Sequence, residues 1–200
     1  MVKIRLKPIA RIAIVGLLLG ATMGALGFGF PSKWAKQKPG KYTENGQIQA
    51  SPSPGYRAPD FEWVLASGAR MSLRGLAGKV IVLTFFQTKS GASLAQLSAM
   101  EQLAVEQLAM ETQGSGSCLA LGVAAFERDD VVCSFIASHS LHTMPVAADP
   151  SGRITDLYEV TAVPTTFVID RDGIVSDLRV GSMTYAELSR AIKRASGTGP

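Results

Sequence analysis

The sequence predicts an α/β domain over residues 58–200, with one central mixed sheet and helices on both of its faces. Three observations predict it. Two continuous apolar runs, Lys79 to Phe86 and Cys118 to Ala125, have the pattern of strands buried on both faces. A segment with helical spacing lies between them and completes a β-α-β unit. Farther on, two strand-like runs flank the tight turn Arg171-Asp172-Gly173, and an amphipathic segment closes the chain.

Each element follows from its side chains. Lys79 to Phe86 reads KVIVLTFF, rich in β-branched and aromatic residues that fit a pleated surface. From Ser93 to about Glu111, Leu94, Leu97, Met100, Ala104 and Leu108 recur at helical intervals, and Gly114-Ser115-Gly116 ends that helix. Asp129 or Asp130 is the expected cap of a helix through about Ser138, with Val132, Phe135 and Ile136 inward. Pro145 to Ala148 is a short strand, Asp149-Pro150-Ser151-Gly152 a turn, and Ile154 to Val160 a short helix. Thr165 to Asp170 and Ile174 to Val180 form the hairpin, and Tyr185 to Arg194 is the closing helix.

Composition bounds the function. With 46% apolar residues among 200, the chain buries too much surface to be wholly disordered. Two cysteines exclude a disulfide-stapled miniprotein and a four-cysteine zinc module. Residues 1–57 hold nine Lys/Arg and one acid, a net charge of +8; residues 58–200 hold eleven and fifteen, a net charge of −4. The main domain therefore offers no basic stripe, and no nucleic-acid partner is expected.

The basic charge belongs to an N-terminal extension. Residues 1–11 form a basic flank with Lys3, Arg5, Lys7 and Arg11. Residues 12–30 carry no charge over nineteen positions, enough for a helix of roughly 28 Å that crosses a bilayer. A transmembrane anchor surrounded by lipid is the expectation; a cleaved signal peptide, cut at Ala25-Leu26-Gly27, is the alternative. Lys33, Lys36, Lys38 and Lys41 follow the span, so the positive-inside rule is nearly balanced. Residues 31–57, interrupted by five Pro or Gly positions between Pro31 and Pro52 and two more at Pro54 and Gly55, read as a flexible linker.

Several motifs resemble one family. Ala58-Pro59-Asp60-Phe61, Ser72-Leu73-Arg74-Gly75-Leu76-Ala77-Gly78-Lys79-Val80 and Val163-Pro164-Thr165-Thr166-Phe167-Val168-Ile169-Asp170 stand in the order seen in the redoxin group. That group comprises TlpA/ResA-like thiol-disulfide oxidoreductases and AhpC/TSA peroxiredoxins. The resemblance implies a thioredoxin-like fold, a cis proline at Pro164 facing the active helix, and a domain on the periplasmic or extracytoplasmic side of its membrane anchor. It also implies that the backbone at Val163 pairs with a substrate polypeptide.

One departure matters more than the match. Where such proteins carry Cys-x-x-Cys, this chain reads Ser90-Gly91-Ala92-Ser93. Exchange chemistry requires a thiolate, commonly at a helix N-terminus, and a serine hydroxyl cannot supply one. Ser90 then reads as a helix cap. A hydrolase nucleophile would need a base within reach, and His139 and His142 follow a helix that leaves that edge.

The expected function is a membrane-anchored thioredoxin-like domain without the redox pair, a non-catalytic protein-binding or accessory subunit of a membrane assembly. The expected binding residues are Lys89, Ser90, Ser93, Val163, Pro164 and Thr165, with no cofactor. The alternative is a thiol-disulfide oxidoreductase or peroxiredoxin-type protein using Cys118 or Cys133, each otherwise a packed or half-buried thiol. A further alternative is copper handling through His139, His142 and Met144, whose imidazole and thioether groups suit that metal.

Overall fold

The computed structural model describes residues 50–64, 70–111 and 118–197. The expected anchor at 12–30, its basic flank, most of the linker and the stop at Gly114-Ser115-Gly116 lie outside the described residues. Among the described residues, no helix is long and apolar enough to cross a membrane.

Two short strands, β1 (Glu62–Val64) and β2 (Arg70–Ser72), pair antiparallel in a small sheet of their own. The main sheet has five strands: β3 (Val80–Phe86), β4 (Cys118–Ala125), β5 (Val146–Asp149), β6 (Thr165–Ile169) and β7 (Val175–Val180). Their spatial order is β5-β4-β3-β6-β7. β3, β4 and β5 are parallel, while β6 runs antiparallel to β3 and to β7. The helices are α1 (Gly91–Glu111), α2 (Asp129–His139), α3 (Arg153–Leu157) and α4 (Tyr185–Ala195). This is the thioredoxin-like arrangement of a mixed sheet between helices that the sequence motifs imply.

Side-chain alternation along β3 builds two cores. Val80, Val82 and Phe86 pack with Leu97, Met100 and Leu103 of α1, Phe135 of α2 and Leu188 of α4. Ile81, Leu83 and Phe85 face the other way, toward Phe61, Trp63, Ile154, Tyr158 and Phe167. Thr84 is the one polar residue of β3, and it is fully buried. Its hydroxyl meets that of Thr166 on β6 at 2.8 Å, which satisfies both groups inside the sheet. α4 begins with a reciprocal cap: the Glu187 N–H donates to Thr184, and the Glu187 carboxylate accepts from the Thr184 N–H at 2.9 Å.

The structure differs from the sequence expectation in three places. The domain begins before residue 58. The Gly55 N–H donates to the Val175 carbonyl at 2.7 Å and the Val175 N–H to the Tyr56 carbonyl at 2.9 Å. Residues 50–57 are thus stitched to the outer strand, and the Pro and Gly residues read there as linker punctuation form a turn instead. The cap of α2 is Arg128, whose backbone is extended and whose side chain makes no capping bond. Asp129 and Asp130 fall in the first turn, where their charge still favours the positive end of the helix dipole. The third helix spans Arg153–Leu157, and Tyr158, Glu159 and Val160 leave it, with Glu159 at φ +52°.

Candidate functional site

Because β3, β4 and β5 are parallel, their last residues share one end of the sheet. β6 runs the opposite way, so its first residue is at that same end: Phe85 stands opposite Thr165. The Val163–Pro164 peptide bond is cis and immediately precedes Thr165. The loop 87–90, the start of α1 and the Pro164 turn therefore lie at the same end of the sheet, on the adjacent strands β3 and β6.

The two serines hold each other in place. The Ser90 Oγ accepts from the Ser93 N–H at 3.2 Å, the bond of a helix N-cap. The Ser93 Oγ, fully buried, accepts from the Gln87 N–H at 3.3 Å. The Ser90 N–H closes the turn on the Gln87 carbonyl at 3.1 Å. Both hydroxyls are thus engaged as acceptors for the backbone of their own loop. Lys89, Gly91 and Ala92 are exposed around them.

A carboxylate secures this loop from the neighbouring strand. Glu127, two residues beyond β4, accepts from the Thr88 N–H at 3.0 and 3.1 Å and from the Thr88 Oγ1 at 2.7 Å. The Gln87 amide adds a bond to the Ala125 carbonyl at 3.4 Å. Phe126 lies between these two anchor points with φ +58°, and its N–H donates to the Asp149 carbonyl at 3.0 Å.

On the other side, the Pro164 carbonyl accepts from the Gly181 N–H at 2.8 Å, and the Thr165 hydroxyl donates to the Ala162 carbonyl at 2.7 Å. Among the described residues, neither the N–H nor the carbonyl of Val163 is hydrogen-bonded. Val163 itself is half-buried against the second core.

Beneath the serines, Gln96 is fully buried one turn along α1. Its Oε1 accepts from the Met183 N–H, while its Nε2 has no hydrogen-bond partner among the described residues. A polar residue three positions after Ser93, inside the apolar stripe of a helix, was the sequence signal for it. Glu127 and Phe126 had no such signal, because they follow a strand without periodic spacing.

Neither cysteine belongs to this loop or to the Pro164 turn. Both are free thiols. Cys118 opens β4 at the far end of the sheet, opposite Val80, and burial pushes its thiol up to about 12. Cys133 is exposed on α2, which corrects the expectation of a packed or half-buried thiol at that position.

His139, His142 and Met144 are dispersed by their roles. The His139 ring stacks on Phe135 with centroids 4.2 Å apart, and its Nδ1 lies 2.9 Å from the Phe135 carbonyl. Met144 is buried in the first core. The backbone N–H groups of His142, Thr143 and Met144 donate to the Glu101 carboxylate at 2.9, 2.7 and 3.1 Å. Burial alone would raise the Glu101 carboxyl. The N–H groups of Thr143 and Met144, the Thr143 hydroxyl and the His142 N–H outweigh it and hold the group below its ordinary value. Glu101 lies eleven residues beyond Ser90, roughly 16 Å along α1, so this loop docks well away from the serines. Among the described residues, no three His, Cys, Asp or Glu side chains are grouped to hold a metal ion.

Comparison with known proteins agrees with this fold. The model of the AhpC/TSA family matches residues 54–178. The thioredoxin-like protein YneN of Bacillus subtilis is 28% identical, covering 90% of this chain and 95% of its own. The thiol-disulfide oxidoreductase ResA of the same organism is 31% identical over 66% of this chain and 70% of its own. Among solved structures, a putative thiol:disulfide interchange protein DsbE from Chlorobium tepidum aligns with a TM-score of 0.62 and 27% identity, over 72% of this chain and 97% of that one.

Proposed function

The chain belongs to the AhpC/TSA family, and from that premise we propose that it is a polypeptide-binding protein that has kept the family's binding edge and lost its thiol pair. The observation that carries this reading is the pairing of two features. Ser90 and Ser93 stand at the head of α1 with their hydroxyls bound to the local backbone. At the same end of the sheet, the backbone of Val163 makes no hydrogen bond among the described residues, beside the cis peptide bond to Pro164. An extended partner segment adds to such an edge through main-chain hydrogen bonds. Lys89, Ala92 and Thr165 then border the bound segment. Among the described residues, neither serine hydroxyl is hydrogen-bonded to a base that would make it a nucleophile, and Glu127, the carboxylate that reaches this loop, binds Thr88.

We keep the anchor in this proposal. The uncharged run at 12–30 and its basic flank support a chain tethered to a membrane, with the domain on its outer side, serving a partner protein or membrane complex.

A second reading is thiol-disulfide exchange through Cys133. The names of the relatives support it better than they support a redox-inactive role, since ResA is a thiol-disulfide oxidoreductase. The exposure of Cys133 also supports it. Cys118 contributes little to this reading, because its buried thiol does not ionise near neutral pH.

One set of assays separates the two. Insulin reduction and peroxide consumption are measured for the full-length chain, for Cys118→Ala and Cys133→Ala, and for the double variant Ser90→Cys/Ser93→Cys. The polypeptide-binding reading expects no activity in the unsubstituted chain and measurable insulin reduction in the double variant. Activity in the unsubstituted chain that disappears with Cys133→Ala replaces it by the second reading.

A further inference from the structure

We propose that Gln96 is a positioning residue for the binding edge: its side-chain carbonyl holds the Pro164 turn in place against the head of α1. The inference rests on the polypeptide-binding reading and adds what fixes the edge before a partner arrives.

Gln96 is an anomaly of α1. It is fully buried on a helix whose inward side chains include Leu97, Met100 and Leu103. Its Nε2 has no hydrogen-bond partner among the described residues, and an unpaired amide arm inside a core is costly. A leucine of similar volume avoids that cost. What the glutamine supplies and a leucine does not is Oε1, which accepts from the Met183 N–H at 2.5 Å.

That bond completes a chain of contacts. A long helical side chain leans toward the helix N-terminus, over the residue three or four positions earlier, which brings the amide under Ser93. Met183 lies two residues beyond Gly181, at most about 7 Å of chain. The Gly181 N–H donates to the Pro164 carbonyl at 2.8 Å. The Pro164 turn is thus fastened, through residues 181–183, to the helix that carries both serines.

The fastening bears on binding because Val163 has no hydrogen bond of its own among the described residues. Main-chain pairing with a partner needs that N–H and carbonyl already aimed. An edge held in place binds more tightly, since less ordering remains to be done on association. Gln96 supplies the hold from inside the core and does not touch the bound segment.

The test uses the full-length chain in mild detergent and a fluorescent insulin B chain, reduced and carboxymethylated, as the polypeptide probe. Its blocked thiols exclude exchange chemistry. Fluorescence anisotropy, at a temperature well below every melting point, gives the affinity; thermal unfolding gives the melting temperature. Gln96→Leu removes the acceptor and the orphaned arm together. It is expected to weaken binding by about fivefold or more while the melting temperature stays within about 2 °C. Gln96→Glu keeps an acceptor oxygen but buries a carboxyl. It is expected to lower the melting temperature by about 3 °C or more and to bind within about twofold of the unsubstituted chain. Should Gln96→Leu not fold, Gln96→Met takes its place with the same expectation.

The crossed pattern separates positioning from stability. Affinity that follows the melting temperature across the two variants makes Gln96 a structural residue and overturns the proposal. Equal weakening by both variants overturns it as well, because the acceptor is then not the cause. A further variant, Ala92→Arg, crowds the head of α1. If Ala92→Arg weakens binding and Gln96→Leu does not, the positioning role is overturned and the polypeptide-binding reading stands. If the unsubstituted chain does not bind the probe, both are overturned.

Discussion

Glu127 holds Thr88 by both its backbone and its hydroxyl, with Oε1 2.7 Å from the Thr88 Oγ1 and Oε2 3.0 Å from the Thr88 N–H. The contact joins residues 39 positions apart and fixes the loop that leads to Ser90. Charge-assisted bonds of this kind are stronger than neutral ones. Glu127→Ala is therefore expected to lower stability by about 1–2 kcal/mol in urea unfolding, because it strands the Thr88 N–H. Thr88→Val, which keeps the N–H bond, is expected to cost less. Equal losses for the two variants would place the whole effect in the hydroxyl.

The Thr84–Thr166 pair allows a sharper test. Each hydroxyl is buried and meets the other at 2.8 Å. Thr84→Val alone leaves the Thr166 hydroxyl unpaired, at an expected cost of about 1–3 kcal/mol. The double variant Thr84→Val/Thr166→Val replaces both partners by shapes of similar volume and is expected to recover most of that loss. A double variant as unstable as the sum of the single ones contradicts the pairing.

Glu101 links stability to pH. Its folded-state pKa is depressed, so its contribution is fully present above the unfolded value and is lost as pH falls through the folded one. The gap in melting temperature between the unsubstituted chain and Glu101→Gln is expected to be largest near neutral pH and to close in acid. A gap that is constant between about pH 7 and pH 3 removes the carboxylate from the account.

Alkylation distinguishes the thiols. Cys118 is 3% exposed and its thiol is pushed up to about 12, whereas Cys133 is exposed. Native protein treated with iodoacetamide near pH 8 is expected to be modified at Cys133 alone, as read by peptide mass spectrometry, and at both residues in denaturant. Modification of native Cys118 at a similar rate means that β4 opens readily.

Much of the fold is legible because burial on both faces leaves a mark in β3 and β4 that local structure cannot imitate. KVIVLTFF and CLALGVAA have strand composition and are separated by a helix-length segment. The Pro164 turn is legible only through the family motif, since nothing in a lone Val-Pro pair dictates a cis bond. The site's fasteners are not legible. Glu127 and Glu101 act on backbone N–H groups 39 and 41–43 residues away, and such tertiary bonds leave no spacing in the sequence. The misplaced cap of α2 has a related cause. Asp129 and Asp130 are better cap residues than Arg128, but the cap's identity is worth only about 1 kcal/mol. The path of the chain leaving β4, fixed by Glu127, decides where the helix starts.

The stitching of residues 50–57 onto β7 bears on self-assembly. β7 is the last strand of the open sheet, and a bare last strand presents a row of unmatched amides to any passing chain. The Gly55 and Tyr56 backbone covers that row at Val175, and the Ala58 N–H donates to the Gly173 carbonyl in the turn before it. Farther along the same strand, Asp177 carries a charge held by Arg194 at 2.7 Å. The segment acts as a selvedge at the start of β7. A fragment cut to start at Ala58, where the family motif begins, has lost that border and leaves the Val175 N–H and carbonyl open to a passing strand.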